Sequence, residues 1–135
     1  MRVIDTHRGH VMATIPNDPD ALVTQFCEAW PRMDPDELAS YFTDDGVYHN
    51  IPMEAAVGRA AVHEMLKGMG AMISGIRFEV HRQVANGPIV MNERTDHITM
   101  GDRAIDLPVV GVFEIEGGRI RAWRDYFDMG QFTGS

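Results

Sequence analysis

Five polar residues lie in segments that otherwise have the apolar pattern of half-buried β-strands. Arg94 and Asp96 alternate along one segment and Asp125 lies in a later one, each sharing a strand face with large apolar residues. Burying a charge is costly unless it is paired. Two carboxylates beside one cavity can act as an acid and a base, because like charges push one pKa upward. Tyr48 and Asn50 share a face of another segment, where a phenol and an amide could hold a water molecule against one carboxylate.

The same residues also have a structural interpretation, since an Arg–Asp pair on a strand is more often a structural ion pair than a catalytic one. The histidines are weaker candidates. His49 and His97 fall on the opposite faces of their strands, and no pair has the spacing of a metal site. The sequence therefore predicts no metal centre. Its ten methionines predict an adaptable core and pocket lining.

Length and composition restrict the class of protein. At 135 residues the chain predicts one domain, and its net charge of −8 argues against nucleic acid or an anionic membrane as a partner. No apolar run reaches the ~18 residues of a membrane span, and residues 1–16 lack the apolar segment of a secretory signal. The single cysteine, Cys27, excludes an intrachain disulfide and fits a cytoplasmic protein. We interpret Cys27 as a buried, small apolar residue.

Changes of period along the chain indicate the elements that must position these groups. Residues 1–16 have no sustained period and predict a flexible tail before a single domain at 17–135. Helical spacing predicts helices from 17 to 31, from 34 through an apolar stripe that includes Tyr41 and Phe42, and from 58 to 72. Alternation predicts strands at 47–51, from 76 to a hairpin turn at Asn86-Gly87, and at about 89–100, 105–115 and 119–128. This order is typical of an α+β fold with helices on one face of a curved sheet.

Three short segments carry a family resemblance. Residues 48–53 (YHNIPM), 93–96 (ERTD) and 123–128 (WRDYFD), in this order and spacing, resemble the limonene-1,2-epoxide hydrolase family, and 111–113 (GVF) also fits. The likeness runs from about residue 19 to residue 132 and lies within the nuclear-transport-factor-2-like superfamily. It implies a cone-shaped, curved mixed β-sheet with three to four helices closing an apolar pocket. It also implies a homodimer.

The resemblance further implies a reaction: hydrolysis of a small apolar epoxide, cyclic or terpene-like, to a vicinal diol without a cofactor or a metal. Asp96, Tyr48 and Asn50 would hold the attacking water, and Asp96 would take its proton as general base. Asp125, protonated, would act as general acid on the epoxide oxygen, and Arg94 would bridge the two aspartates. Water would attack directly in one step, with no covalent enzyme ester.

Analogy and strand alternation together predict the apolar wall of the pocket, which comprises Met69, Met72, Ile98, Leu107, Val109, Trp123, Phe127 and Phe132. The chain ends soon after Phe132, where the family can carry a longer tail that helps to close the pocket, so either a larger substrate or a more open site is expected. His49 and Met100 are local choices that could tune specificity.

Two other functions fit the same fold. A ketosteroid-isomerase-like or polyketide-cyclase-like enzyme needs a base beside an oxyanion hole, which an arginine between two aspartates matches poorly. A non-catalytic ligand-binding or dimerisation domain has no need for Asp125 behind Trp123. Diol formation from a simple cyclic epoxide would separate the hydrolase from both alternatives.

Overall fold

The structure, a computed structural model, describes residues 14–134. Its elements are, in chain order, α1 (Pro19–Ala29), a 3₁₀ turn (Trp30–Arg32), α2 (Pro35–Ala39), β1 (Phe42–Asn50), β2 (Ala56–Val57), α3 (Arg59–Met72), β3 (Gly75–Asn86), β4 (Ile89–Met100), β5 (Arg103–Glu116), β6 (Arg119–Tyr126) and α4 (Met129–Thr133). Most of the predicted tail at 1–16 lies outside the described residues. Within the described part of the chain, no helix is long and apolar enough to cross a membrane.

Six strands form one sheet in the order β2-β1-β6-β5-β4-β3. β1 runs parallel to β6, whereas the other neighbouring strands are antiparallel, so the sheet is mixed. Gly87 has a φ of +58° in the turn between β3 and β4, which confirms the hairpin predicted at Asn86-Gly87. Helices α1 and α3 pack against the sheet. The predicted α+β architecture, a curved mixed sheet with helices, is confirmed.

Helices α1 and α2 each begin at an aspartate that caps the first turn. Asp18 accepts a hydrogen bond from the backbone N–H of Ala21 at 3.0 Å, and Pro19 occupies the first turn, where its missing N–H leaves no partner unsatisfied. Asp34 caps α2 in the same way, accepting from the backbone N–H of Asp36 at 3.0 Å. These caps therefore fix the residues at which α1 and α2 begin.

The boundary between α2 and β1 differs from the prediction. Tyr41 and Phe42 do not extend the helix, which ends at Ala39, and Phe42 instead begins a strand longer than the predicted 47–51. The pairing of β1 with β6 is irregular before Val47, and a Cβ at Gly46 would lie 3.0 Å from the carbonyl oxygen of Ile120. Asp44-Asp45-Gly46, whose composition is typical of a turn, is therefore an irregular part of β1.

The end of the chain also differs. β6 ends at Tyr126 and not at residue 128, because Asp128 caps the short helix α4 by accepting from the backbone N–H of Gly130 at 2.9 Å. Neither α4 nor β2 is long enough to show a period in the sequence.

The core lies between the sheet and helices α1 to α3, with Trp123 of β6 fully buried within it. Its ring stacks on those of Tyr48 and Phe113, and Phe26 of α1 approaches it edge-on at 5.0 Å between centroids. Cys27 is buried, as predicted, and burial raises the pKa of its thiol to about 12.

Candidate active site

An apolar cavity of about 330 Å³ opens between the sheet and α3. Four side chains give its lining a polar character, namely Tyr48 and Asn50 of β1, Asp96 of β4 and Asp125 of β6. Most of the remaining lining is aliphatic, aromatic or methionine. A mostly apolar cavity with a few convergent polar groups is the usual composition of a small-molecule site.

Most residues of the wall predicted from analogy and strand alternation line the cavity. The residues that line the cavity as predicted are Met69, Met72, Ile98, Leu107, Val109, Phe127 and Phe132. Trp123 is the exception. Its fully buried ring lies behind Tyr48, with the two ring centroids 4.1 Å apart and the ring planes at 5°. Alternation gives the face of the sheet correctly but cannot show that a neighbouring strand covers the ring.

Other lining residues were not assigned to the wall from the sequence, and these are Trp30, Met53, Met65, Gly68, Ile73, Ile76, Phe78 and Met100. Ile76 and Phe78 alternate along β3, so their sequence pattern could have predicted that both face the cavity. Met53 follows β1 in a turn, where no period exists to indicate it. The five methionines of the lining agree with the predicted adaptable pocket.

Arg94 is held between the two aspartates. Its Nε donates to Asp96 Oδ1 at 2.7 Å, and its Nη2 donates to Asp96 Oδ2 at 3.2 Å. Nη2 also makes a short contact with Asp125 Oδ2. The ring of Phe78 lies 4.3 Å from the guanidinium carbon, within the range of a cation–π interaction. Arg94 is fully buried and both carboxylates are nearly so, hence the three charges form one cluster away from bulk water.

Strand register brings these residues together from four strands. Asp125 of β6 pairs with Gly111 of β5, and Gly111 pairs with Asn92 of β4, two residues before Arg94. Because β1 runs parallel to β6, Asn50 pairs directly with Asp125. The four strands thus converge on one patch of the sheet.

Gly111 leaves the space in which this cluster sits. A Cβ at this position would lie 2.5 Å from Arg94 Nη1 and 3.0 Å from both Asp125 Oδ1 and Asn92 Oδ1. Gly111 begins the segment 111–113 that fits the family resemblance, but its pattern indicates no role for it. Its importance depends on what the neighbouring strands place above it.

Burial shifts the pKa values of the cluster. Desolvation raises the pKa of Asp96 to about 6, although Arg94 acts to lower it. Desolvation likewise raises the pKa of Asp125 against the opposing effect of Arg94. Burial alone would lower the pKa of Arg94, but the two carboxylates outweigh it and keep that pKa above its ordinary value. A charged guanidinium with one ionised and one protonated carboxyl group leaves the buried cluster neutral.

Tyr48 and Asn50 are buried at the same end of the cavity. Burial raises the pKa of Tyr48 above its ordinary value, so its phenol stays protonated. Asp125 lines the cavity beside them and is also buried. A hydroxyl, an amide and a carboxyl group can together hold a water molecule and one polar atom of a ligand.

The two histidines that flank predicted site residues, His49 and His97, lie apart from this cluster. His97 contacts Asp106 Oδ1 at 2.7 Å and Glu79 Oε1 at 2.8 Å on the exposed face of the sheet, and His49 contacts the backbone oxygen of Met53 at 2.9 Å. Within residues 14–134, no three histidine, cysteine, aspartate or glutamate side chains are placed to hold a metal ion.

One distant structural relative shows how widely the fold is shared. A protein with a ketosteroid isomerase-like fold from Catenulispora acidiphila superposes with a TM-score of 0.75 at 20% identity, covering 81% of this chain and 86% of that one. At this identity the likeness concerns the fold alone.

Closer relatives share more than the fold. The chain is 36% identical over 107 residues to epoxide hydrolase EphG of Mycobacterium tuberculosis, and the aligned region covers 79% of this chain and 71% of that protein. The structure of an M. tuberculosis LEH-like epoxide hydrolase has a TM-score of 0.74 at 35% identity and covers 83% of this chain and 84% of that one. Residues 17–133 match the family described as "Limonene-1,2-epoxide hydrolase catalytic domain". These matches confirm the predicted resemblance and enzyme class: the chain belongs to the limonene-1,2-epoxide hydrolase family.

Proposed function

We propose that this protein adds water to a cyclic or terpene-like epoxide in one step of general acid–base catalysis and releases a vicinal diol. The observation that carries the proposal is the buried Asp96–Arg94–Asp125 cluster at the polar end of an apolar cavity. Opening an epoxide with water requires one group that accepts a proton and another that donates one. Two carboxyl groups held by one guanidinium supply both in a fixed geometry.

Asp96 is the general base. A pKa of about 6 leaves Asp96 mostly ionised at neutral pH, yet makes it a stronger base than an exposed aspartate. Tyr48 and Asn50, which line the same end of the cavity, orient the water whose proton Asp96 takes.

Asp125 is the general acid. It is buried in the lining of the cavity and desolvation raises its pKa, so it can keep a proton and donate it to the epoxide oxygen. As the water oxygen bonds to one epoxide carbon, the bond between that carbon and the epoxide oxygen breaks, and the Asp125 proton passes to the leaving oxygen. Asp96 then holds the water proton, which must return to Asp125 before the next turnover.

The substrate follows from the rest of the cavity. The polar groups at its inner end are all used by the reaction, and the wall is otherwise mainly apolar. An apolar epoxide is therefore the favoured ligand, and the epoxide and water between them supply every atom of the diol, without a cofactor.

The predicted homodimer and cytoplasmic location rest on the family resemblance and on the single cysteine, and both remain predictions. Light scattering after size-exclusion chromatography tests the first. A mass of twice 15.1 kDa is expected, and a monomer at micromolar concentration would contradict it.

The reaction is tested by hydrolysis in ¹⁸O-labelled water, with enzyme in excess over limonene-1,2-epoxide or cyclohexene oxide and with Asp96→Asn as the control. Direct attack by water labels the diol in the first turnover, whereas an enzyme ester would first deliver an unlabelled carboxylate oxygen. Labelled diol from the wild type alone supports the proposal. Unlabelled diol would contradict one-step attack, and absence of diol from folded protein would contradict this substrate class.

A further inference from the structure

A chain of hydrogen bonds leads away from Arg94 on the side that does not face Asp96. Arg94 Nη1 donates to Asn92 Oδ1 at 3.1 Å, and Asn92 Nδ2 donates to Gln83 Oε1 at 3.0 Å. Gln83 Nε2 donates to Asp20 Oδ1 at 2.7 Å and to Thr24 Oγ1 at 3.0 Å, both on α1. The chain thus connects the buried guanidinium with the first turns of a surface helix.

The groups at the two ends of this series of hydrogen bonds determine which way the Gln83 and Asn92 amides are oriented. The Asp20 carboxylate can only accept, so Gln83 turns its NH₂ group to α1 and its oxygen to Asn92. Asn92 must then turn its own NH₂ group to Gln83, which leaves its oxygen for Arg94. Each amide therefore has one satisfied orientation, and Arg94 has an acceptor in a fixed place.

An irregularity in β3 puts Gln83 in this position. Val80 pairs with Arg94 and Arg82 pairs with Glu93, so His81 is an extra residue in the strand. Without this bulge, Arg82 would pair with Asn92 and share its face, because a shift of one residue exchanges the faces of a strand. The bulge instead sends Arg82 to an ion pair with Glu93 at 2.6 Å. A neutral amide, and not a second cation, then faces Asn92.

We propose that Asn92 and Gln83 are positioning residues, which hold the Arg94 guanidinium at the angle that serves Asp96 and Asp125 together. Asn92 is 2% exposed and does not line the cavity, so it acts through Arg94 and not on the substrate. Without its oxygen, the Nη1 hydrogen loses its acceptor in a buried place and the guanidinium gains freedom to rotate. This inference rests on the proposed function for its effect on turnover, but its effect on the aspartates needs no substrate.

The expected electrostatic effect has a definite sign. Arg94 lowers the pKa of Asp96, so a less well-held guanidinium lets that pKa rise. Besides one another, the titratable groups that act electrostatically on the two aspartates or their arginine are Cys27 of α1, Tyr48 of β1 and, from the opposite face of the sheet, His97 of β4. Asn92 Nδ2 also donates to Cys27 Sγ at 3.7 Å, whereas Gln83 has no hydrogen bond to any of these groups in the described part of the chain. A shift of the Asp96 pKa in Gln83→Met is therefore the cleaner report on Arg94.

The test compares Asn92→Leu and Gln83→Met with Gln25→Met, a matched control whose amide donates to the Tyr41 hydroxyl at 2.9 Å instead. The readouts are kcat and KM across pH, and the pKa of Asp96 from ¹³C NMR titration of its carboxyl group. For Asn92→Leu we expect kcat to fall by about 10- to 100-fold with little change in KM. The Asp96 pKa and the acidic limb of kcat should both move to higher pH. Gln83→Met should act in the same direction but less, and Gln25→Met should match the wild type.

If Asn92→Leu does not fold, the test rests on Gln83→Met, because Gln83 is only half-buried and bonds to neither Asp96 nor Asp125. An unchanged Asp96 pKa and an unchanged kcat in Gln83→Met would then overturn the inference. So would a loss of kcat with no movement of the Asp96 pKa in either variant. If the wild type hydrolyses no epoxide and the Asp96 pKa still shifts in the variants, the positioning role stands and the proposed function fails.

Discussion

The rings of Tyr48 and Trp123 lie parallel, 4.1 Å apart between centroids, on the neighbouring strands β1 and β6. Trp123 also stacks on Phe113 at 5.3 Å, so the phenol belongs to the packed aromatic core. Moving Tyr48 would disrupt that packing. Its hydroxyl is therefore held at the polar end of the cavity by core residues that never touch a ligand.

Replacing Tyr48 with phenylalanine separates the hydroxyl from the ring stack. Tyr48→Phe should keep the melting temperature close to that of the wild type, because the ring remains. It should lower kcat about tenfold, since one hydrogen bond to the attacking water is worth ~1.5 kcal/mol. Tyr41→Phe is the control, because the Tyr41 hydroxyl bonds to Gln25 away from the cavity. Equal turnover of both variants would show that the Tyr48 hydroxyl takes no part.

The two aspartates should behave as one unit. Asp96→Asn and Asp125→Asn should each lower kcat by about 10²–10⁴-fold, the usual contribution of one general acid or base. The double variant should be little worse than either single one, because removing one partner already stops the concerted step. Asp106→Asn, on the exposed face beside His97, controls for the loss of a carboxylate elsewhere. Multiplicative losses in the double variant would mean that the aspartates act in separate steps.

The activity should depend on pH in a bell-shaped manner. Protonation of Asp96 removes the base, so kcat should fall as the pH drops through about 6. Deprotonation of Asp125 removes the acid and should produce a second fall at higher pH, since burial raises its pKa. His97→Gln tests whether the exposed His97, whose pKa is also raised by Glu79, produces the acidic limb instead. Loss of that limb in His97→Gln would contradict the assignment to Asp96.

Folding stability should show the opposite trend to that of most buried ion pairs. The folded state raises the pKa of Asp96 from 3.8 to about 6, so it binds the proton more tightly than the unfolded chain does. Between these two values, ionisation of Asp96 weakens the folded state as the pH rises. Asp96→Asn cannot ionise and should lose this part of the pH dependence. Urea denaturation at several pH values from 4 to 7 measures the free energy of unfolding of both proteins. An equal change of this free energy with pH in the wild type and in Asp96→Asn would contradict the prediction.

The sequence predicts the site better than it predicts the chain's irregularities. Strict alternation in β4 places Arg94 and Asp96 on the inner face, and the structure has them there. The alternation of a strand cannot show that a side chain from a neighbouring strand covers one of its residues, and for this reason Trp123 was expected in the cavity wall. Alternation also fails at bulges. The extra residue His81 exchanges the faces of β3, and this brings Gln83 inward.

The beginning of β1 shows the same limit in another form. Its Asp-Asp-Gly segment has the composition of a turn, and only pairing with β6 makes it part of a strand. The role of Gly111 was equally hidden, because it depends on side chains that approach from β4 and β6. The local sequence pattern thus predicts which side chains share a face of the sheet. Contacts between strands, which the pattern does not contain, explain the positions of Trp123, Gln83 and Gly111.

Gly111 gives the sharpest structural prediction. A Cβ there would lie 2.5 Å from Arg94 Nη1, and Arg94 is fixed by Asp96, Asp125 and Asn92, so it cannot withdraw without breaking hydrogen bonds. We expect Gly111→Ala to destabilise the protein by about 1–3 kcal/mol, the usual cost of overpacking.

Gly111→Ala should also lower kcat by about 100-fold, because the catalytic groups move. Gly70→Ala is the matched control. Gly70 lies in α3, and a Cβ at this position would have no atom of another element within 4 Å, so alanine there should stabilise the helix by about 0.5–1 kcal/mol and leave kcat unchanged. If Gly111→Ala kept wild-type turnover and stability, the cluster would have room to rearrange. Its fixed geometry could then no longer explain how two aspartates divide the work of acid and base.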